Sequence, residues 1–128
     1  MHTPFTEQLD DDEIARQAAS ASWITTLAIH ESEQREIAID NLRRFAAAGG
    51  TVLYGTDMGN GPTPIDLRAE EIDAMRAAGI DGAALLAALA PIDPRTPGAV
   101  LLAAPAPTDD FDPLATRPLI ADDLLALR

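Results

Sequence analysis

Two short runs, Ser22-Trp23-Ile24-Thr25-Thr26-Leu27 and Thr51-Val52-Leu53-Tyr54, constrain the fold of this chain more than anything else in it. Both are dominated by aromatic, β-branched and aliphatic types and read as apolar on both sides, the pattern of strands covered on two faces. Each is preceded by a segment of helical character. An order of helix, strand, helix, strand joined by short loops implies parallel βαβ architecture, because each helix carries the chain back across the sheet.

The helices are placed by their ends. Asp10 is the expected N-cap of the first, with Glu13 at its third position and Leu9 against Ile14 as a hydrophobic staple. The acidic first turn suits the positive end of the helix dipole. This helix is expected to reach about Ser20 and to bury Ile14, Ala18 and Ala21. The second begins after Ser32, carries Ile37, Ala38, Leu42, Phe45 and Ala46 on one face, and pairs Asp40 with Arg43 or Arg44 on its flank. Gly49-Gly50 stops it. Asp66 is expected to cap a third helix carrying Leu67, Ile72 and Met75 and stopped by Gly79. Asp81 then caps a short fourth, residues 82–90, stopped by Pro91.

Beyond residue 90 the texture changes. Pro91, Pro94, Pro97, Pro105, Pro107, Pro113 and Pro118 divide the remainder into pieces too short for long helices. Short strands at 99–103 and 119–121 and a helical turn at 122–127 are what those pieces allow. The domain reading is thus residues 1–90 as an α/β unit and 91–128 as a Pro-rich tail, a remnant of a small β domain. Two strands do not make a covered parallel sheet, so either the tail adds strands or most of the sheet lies outside these 128 residues. The second alternative is the expectation: the chain reads as the end of a larger barrel.

Charge narrows the partners. With 21 acidic side chains against nine basic ones the net charge is −12, which repels phosphate backbones and anionic lipids. Nucleic-acid and membrane-surface roles are therefore not expected. All nine basic residues are arginines, so no Schiff base or lysine-derived metal ligand comes from this chain. Cysteine is absent, which removes disulfides, thiolate nucleophiles and Cys-based zinc sites together. The first residues have neither a basic nor an apolar signal region, and no apolar stretch approaches the roughly 20 residues of a membrane span. A soluble, cytoplasmic protein is the expectation.

Asp57 is the leading candidate for chemistry. It closes the run Tyr54-Gly55-Thr56-Asp57 at the carboxyl end of a strand, ahead of a loop too rich in Gly and Pro to be helix. That end of the strands is where α/β barrels keep their catalytic groups. The alternative is that Asp57 ties its side chain back to the amides of a Gly-rich turn. His30, in the loop after the first strand, falls on the same side of a parallel sheet, as a substrate contact or an exposed loop residue. His2 precedes a loop leading into a capped helix, as a strand end or a solvated tail. Imidazole and carboxylate are good zinc donors, but no compact zinc spacing links these residues. Ser20, Ser22 and Ser32 lack the setting of a nucleophile elbow, and residues 55–61 match neither a Walker loop nor a dinucleotide fingerprint. Asp109, Asp110 and Asp112 lack EF-hand spacing.

The run Asp40-Asn41-Leu42-Arg43-Arg44-Phe45, followed by Gly49-Gly50-Thr51-Val52-Leu53-Tyr54-Gly55-Thr56-Asp57-Met58-Gly59-Asn60, resembles the last βα unit of amidohydrolase-superfamily barrels, in particular the imidazolonepropionase-like branch. The likeness extends over about residues 2–90 and is most specific around 40–60. It implies a partial (β/α)8 barrel of TIM type, comprising about the last two to three βα units, with 23–27 as the seventh strand and 51–54 as the eighth. It implies a metal-dependent hydrolase acting on amide or cyclic-amide C–N bonds through activated water, with a divalent metal, zinc first, as cofactor. On that resemblance Asp57 is ligand and general base, His2-Thr3-Pro4-Phe5 ends the sixth strand with His2 as a second ligand, and His30 and Asn60 lie on the substrate rim. The family's first-strand His-x-His pair, fourth-strand lysine and fifth-strand histidine have no counterpart here. Pro97-Gly98-Ala99-Val100-Leu101-Leu102 matches the family's return to a β-sandwich only in part. The catalytic set is thus incomplete, and a homo-oligomer or a complementing chain is the expected partner. The alternatives are a non-catalytic partial barrel acting as an interaction or oligomerisation module, and a truncated, inactive fragment.

Overall fold

A computed structural model describes residues 1–57, 67–90, 102–103, 114 and 117–118. Strand β1 (Ser22–Ile24) pairs in parallel with β2 (Thr51–Leu53), with Ser22 opposite Thr51, Trp23 opposite Val52 and Ile24 opposite Leu53. On the other side of β1, His2 forms a parallel bridge to Ile24. The Thr3 amide donates to the Ile24 carbonyl at 2.9 Å, and the Ile24 amide donates to the Met1 carbonyl at 2.8 Å. Three parallel positions therefore lie side by side in chain order: the N-terminal residues, β1 and β2.

Both strands are shorter than their apolar runs suggest. Thr25 still donates to the Leu53 carbonyl at 2.9 Å and Thr26 to that of Gly55 at 3.0 Å. Thr26 then turns left-handed, at φ 46°, and the next two amides leave the ladder for a carboxylate on a later helix.

Helix α1 (Asp11–Ser20) starts where its cap predicts: an Asp10 carboxylate oxygen accepts from the Glu13 amide at 2.8 Å. The Glu13 side chain does not reach back to the cap; it pairs with Arg16 and accepts from Gln17 at 2.6 Å. Helix α2 (Ser32–Ala47) packs between α1 and α3 and buries Ala38, Asn41, Leu42 and Phe45. Asp40 pairs with both Arg43 and Arg44, and Arg44 also reaches Asp11 at 2.6 Å. The expected stop is present: Gly49 is left-handed at φ +85°, and the Gly50 amide donates to the Phe45 carbonyl at 3.0 Å. A Cβ at Gly50 would stand 2.3 Å from the Phe45 ring, so only glycine fits there.

Helix α3 (Ala69–Ala77) begins after Arg68, leaving Leu67 ahead of it; the expected cap, Asp66, lies outside the described residues. The Arg68 amide instead donates to the Tyr54 hydroxyl at 2.8 Å, which ties the start of α3 to the end of β2. Helix α4 (Gly82–Leu89) is capped by Asp81 as expected, and its Ala88 carbonyl accepts from the Tyr54 amide at 3.0 Å. Thus α4 lies along the outer edge of β2. In the tail, β3 (Leu102–Ala103) pairs antiparallel with β4 (Arg117–Pro118). The first coincides with the end of the expected strand at 99–103, whereas residues 119–127 lie outside the described residues.

The core sits between the parallel strands and the helices. Trp23, Leu27, Leu42, Phe45, Ile72, Met75 and Leu85 are fully buried. Side chains of this size contribute about 1.5–3 kcal/mol each on burial. Trp23 and Phe45 stack nearly parallel, with ring centres 4.0 Å apart, and the indole N–H finds its partner in Gln17 at 2.9 Å. Ile14 belongs to this core and Ala18 packs against it, as the first helix predicts. Among the described residues no helix is long and apolar enough to cross a membrane.

Candidate active site

The carboxyl ends of the three parallel positions carry His2, then Thr25 and Thr26, then Gly55, Thr56 and Asp57. Thr25 joins two of them: its hydroxyl accepts from the Gly55 amide at 3.2 Å and donates to the Gly55 carbonyl at 3.3 Å. The approach is close enough that a Cβ at Gly55 would stand 2.3 Å from Ile24 Cγ2. Glycine at this position lets the β2 end lie flat against β1. Two residues later Asp57 takes a left-handed backbone, φ 55°. Aspartate tolerates that conformation better than most side chains, and such residues gather at functional sites.

His2 is exposed, yet it is not a loose tail. Its backbone bridges to β1, its Nδ1 lies 3.1 Å from Thr26 Oγ1, and the terminal ammonium of Met1 donates to the Ser22 carbonyl at 2.9 Å. His30 is only 7 % exposed, which removes the reading of it as an exposed loop residue. Its ring stacks on Phe5 with centres 3.9 Å apart and planes 25° apart. Burial is the chief reason its pKa lies below the ordinary value of 6.5; the Arg35 charge adds to this, Asp57 opposes it and His2 reinforces it. The shift favours the neutral imidazole, which carries one donor and one acceptor nitrogen. Asp57 and His2 thus each act on His30 through their charge, with opposite sign.

Asn60, the loop 58–65 and the expected cap Asp66 lie outside the described residues. Among the described residues, no group of three or more His, Cys, Asp or Glu side chains is placed to hold a metal ion. His2 and Asp57 have the donor chemistry for zinc. Two donors are short of the three or four that zinc takes from proteins. On their own these residues do not fit a metal centre.

Sequence reasoning missed the groups that hold this end in shape. Glu71 of α3 is fully buried, and its carboxylate accepts from the amides of Leu27 at 2.9 Å and Ala28 at 2.7 Å. Arg35 of α2 donates to the carbonyls of Ala28 and His30, both at 2.9 Å. Asn41, also fully buried, donates to the carbonyls of Pro4 and Glu7 and accepts from the Leu9 amide, all within 3.0 Å. A signal for two of them was available. Glu71 lies on one helical stripe with Ala74, Met75 and Ala78, and Asn41 on one with Ala38 and Phe45, all buried. A polar side chain on an apolar stripe needs a buried partner.

No protein-family model, curated protein or solved structure matches the chain.

Proposed function

We propose that this chain is the C-terminal part of a metal-dependent, amidohydrolase-like hydrolase with a partial (β/α)8 barrel. Its substrate is a small molecule with an amide or cyclic-amide C–N bond. One observation carries the reading: His2 and Asp57 stand at or just beyond two of three adjacent parallel positions, and both act through their charge on His30, in the loop that follows the third. The Gly55-Thr56-Asp57 turn adds to it: Gly55 packs closely against β1, and Asp57, two residues on, has a left-handed backbone.

In this reading Asp57 accepts a proton from the attacking water as general base. Neutral His30, stacked on Phe5, offers a hydrogen bond to the substrate, and Thr26 fixes the His2 ring. A divalent cation, zinc by donor type, would supply Lewis acidity, and His2 and Asp57 would hold it only together with donors from outside the described residues.

The test is hydrolysis of N-acyl amino acids and cyclic amides by the protein purified from its own cells, compared with Asp57→Asn. Asparagine also tolerates the left-handed backbone, so the exchange removes the base and spares the turn. A loss of kcat/KM on the order of 100-fold or more is expected for a missing general base. Unchanged kcat/KM in the variant, or no turnover of either substrate class by the wild type, would contradict the reading.

A further inference from the structure

We infer that Glu71 is a positioning residue for the candidate active site, acting from α3 on the loop that follows β1. The side chain is fully buried, and each carboxylate oxygen accepts from one backbone amide, Leu27 at 2.9 Å and Ala28 at 2.7 Å. Among the described residues no arginine or histidine forms an ion pair with it. A buried carboxylate is tolerated only when its acceptor capacity is met, and short bonds to amides meet it.

The identity of the residue follows from what it faces. Two N–H donors and no acceptor point at it, so an acceptor-only group is required. A glutamine would turn its own N–H against one of the two amides. Asn41 makes the comparison. One βα unit earlier, on α2, it clasps the loop after the N-terminal strand position, where it faces two carbonyls and one amide. A mixed set of partners suits a carboxamide; a pure donor pair suits a carboxylate. The two side chains occupy equivalent places, each reaching from one unit to the strand-to-helix loop of the unit before.

The consequence falls on the site. Paired with a neighbouring strand, the Leu27 and Ala28 amides would extend β1. Glu71 takes them, and the chain turns at Thr26 into a left-handed conformation (φ 46°) that a β-branched residue adopts only under constraint. Arg35 secures the carbonyl side of the same loop, at Ala28 and His30. With both sides held, Thr26 Oγ1 meets His2 Nδ1 at 3.1 Å and the His30 ring comes to rest on Phe5 at 3.9 Å. That this geometry serves catalysis rests on the hydrolase reading; the positioning itself does not.

Solution NMR of the full chain tests the positioning without substrate. The Phe5 ring shields the His30 ring protons, and the Trp23–Phe45 stack is a control within the same spectrum. In Glu71→Ala the His30 ring signals should move to unstacked positions. Amide exchange at Leu27 and Ala28 should quicken by roughly tenfold or more, as for a locally released segment. The Trp23 signals should stay in place. Glu71→Gln, which keeps one acceptor, should restore part of the His30 shift and protect one of the two amides. A folded Glu71→Ala chain with His30 shielding and both amides unchanged overturns the inference. So does a joint change of the His30 and Trp23 signals, which would make Glu71 a support of the core. If Glu71→Ala does not fold, Glu71→Gln decides between the same outcomes; unfolding of both variants assigns Glu71 to the fold and not to the site. None of these results depends on turnover, so the inference and the hydrolase reading fail separately.

Discussion

His30 has a buried ring on an aromatic face, and that burial is the chief cause of its lowered pKa. The depression has a consequence for stability. Below its ordinary value of 6.5 the imidazole of the unfolded chain takes up a proton that the folded chain resists, so the unfolded state binds more protons there. His30's contribution is thus fully present above pH 6.5 and is lost as pH falls through the folded-state value. Urea titrations at pH 7.5 and about pH 5 should show lower stability at the acid end, with a smaller difference in His30→Gln. Equal pH dependence in both proteins would contradict the assignment. In the sequence His30 was legible as a loop residue on the Asp57 side of the sheet, a substrate contact or an exposed histidine, but not as a buried ring. Its burial depends on Phe5, 25 positions earlier, and no local pattern connects the two.

The elements themselves were more legible than the contacts between them. Helix starts at Asp10 and Asp81 and the Gly49 stop follow from local chemistry: a side-chain acceptor for an orphan amide, and a left-handed glycine. Strand ends did not follow, because the Leu27 and Ala28 amides leave the ladder for Glu71, 44 residues beyond Leu27. The third helix likewise starts at a tertiary contact, the Arg68 amide on the Tyr54 hydroxyl. The turn from α2 into β2 offers the sharpest test at this scale. Phe45 is fully buried and stacked on Trp23, so its ring has no room to retreat from a methyl group at residue 50. Gly50→Ala should cost about 1–3 kcal/mol, as overpacking does, and should alter the near-UV dichroism of Trp23. A Gly50→Ala chain with wild-type stability would show that the turn is looser than described.

At the scale of the molecule, the parallel order of the N-terminal residues, β1 and β2 follows from two rules legible in the sequence: alternating elements and short connections. Those rules put the ends of successive strands on one side, and so put His2, the β1 loop and Asp57 near one another. What they do not supply is the clasping of the two loops by the following unit through Asn41 and Glu71, which holds the loop backbones in place. The central claim is that His2, His30 and Asp57 share one electrostatic environment. It is tested most directly by the NMR titration of the His30 imidazole in Asp57→Asn and in His2→Asn. Asp57 holds the His30 pKa up and His2 holds it down. The midpoint should therefore fall in the first variant and rise in the second, with both chains folded. A His30 midpoint unmoved by either substitution would mean that the three residues do not form one site.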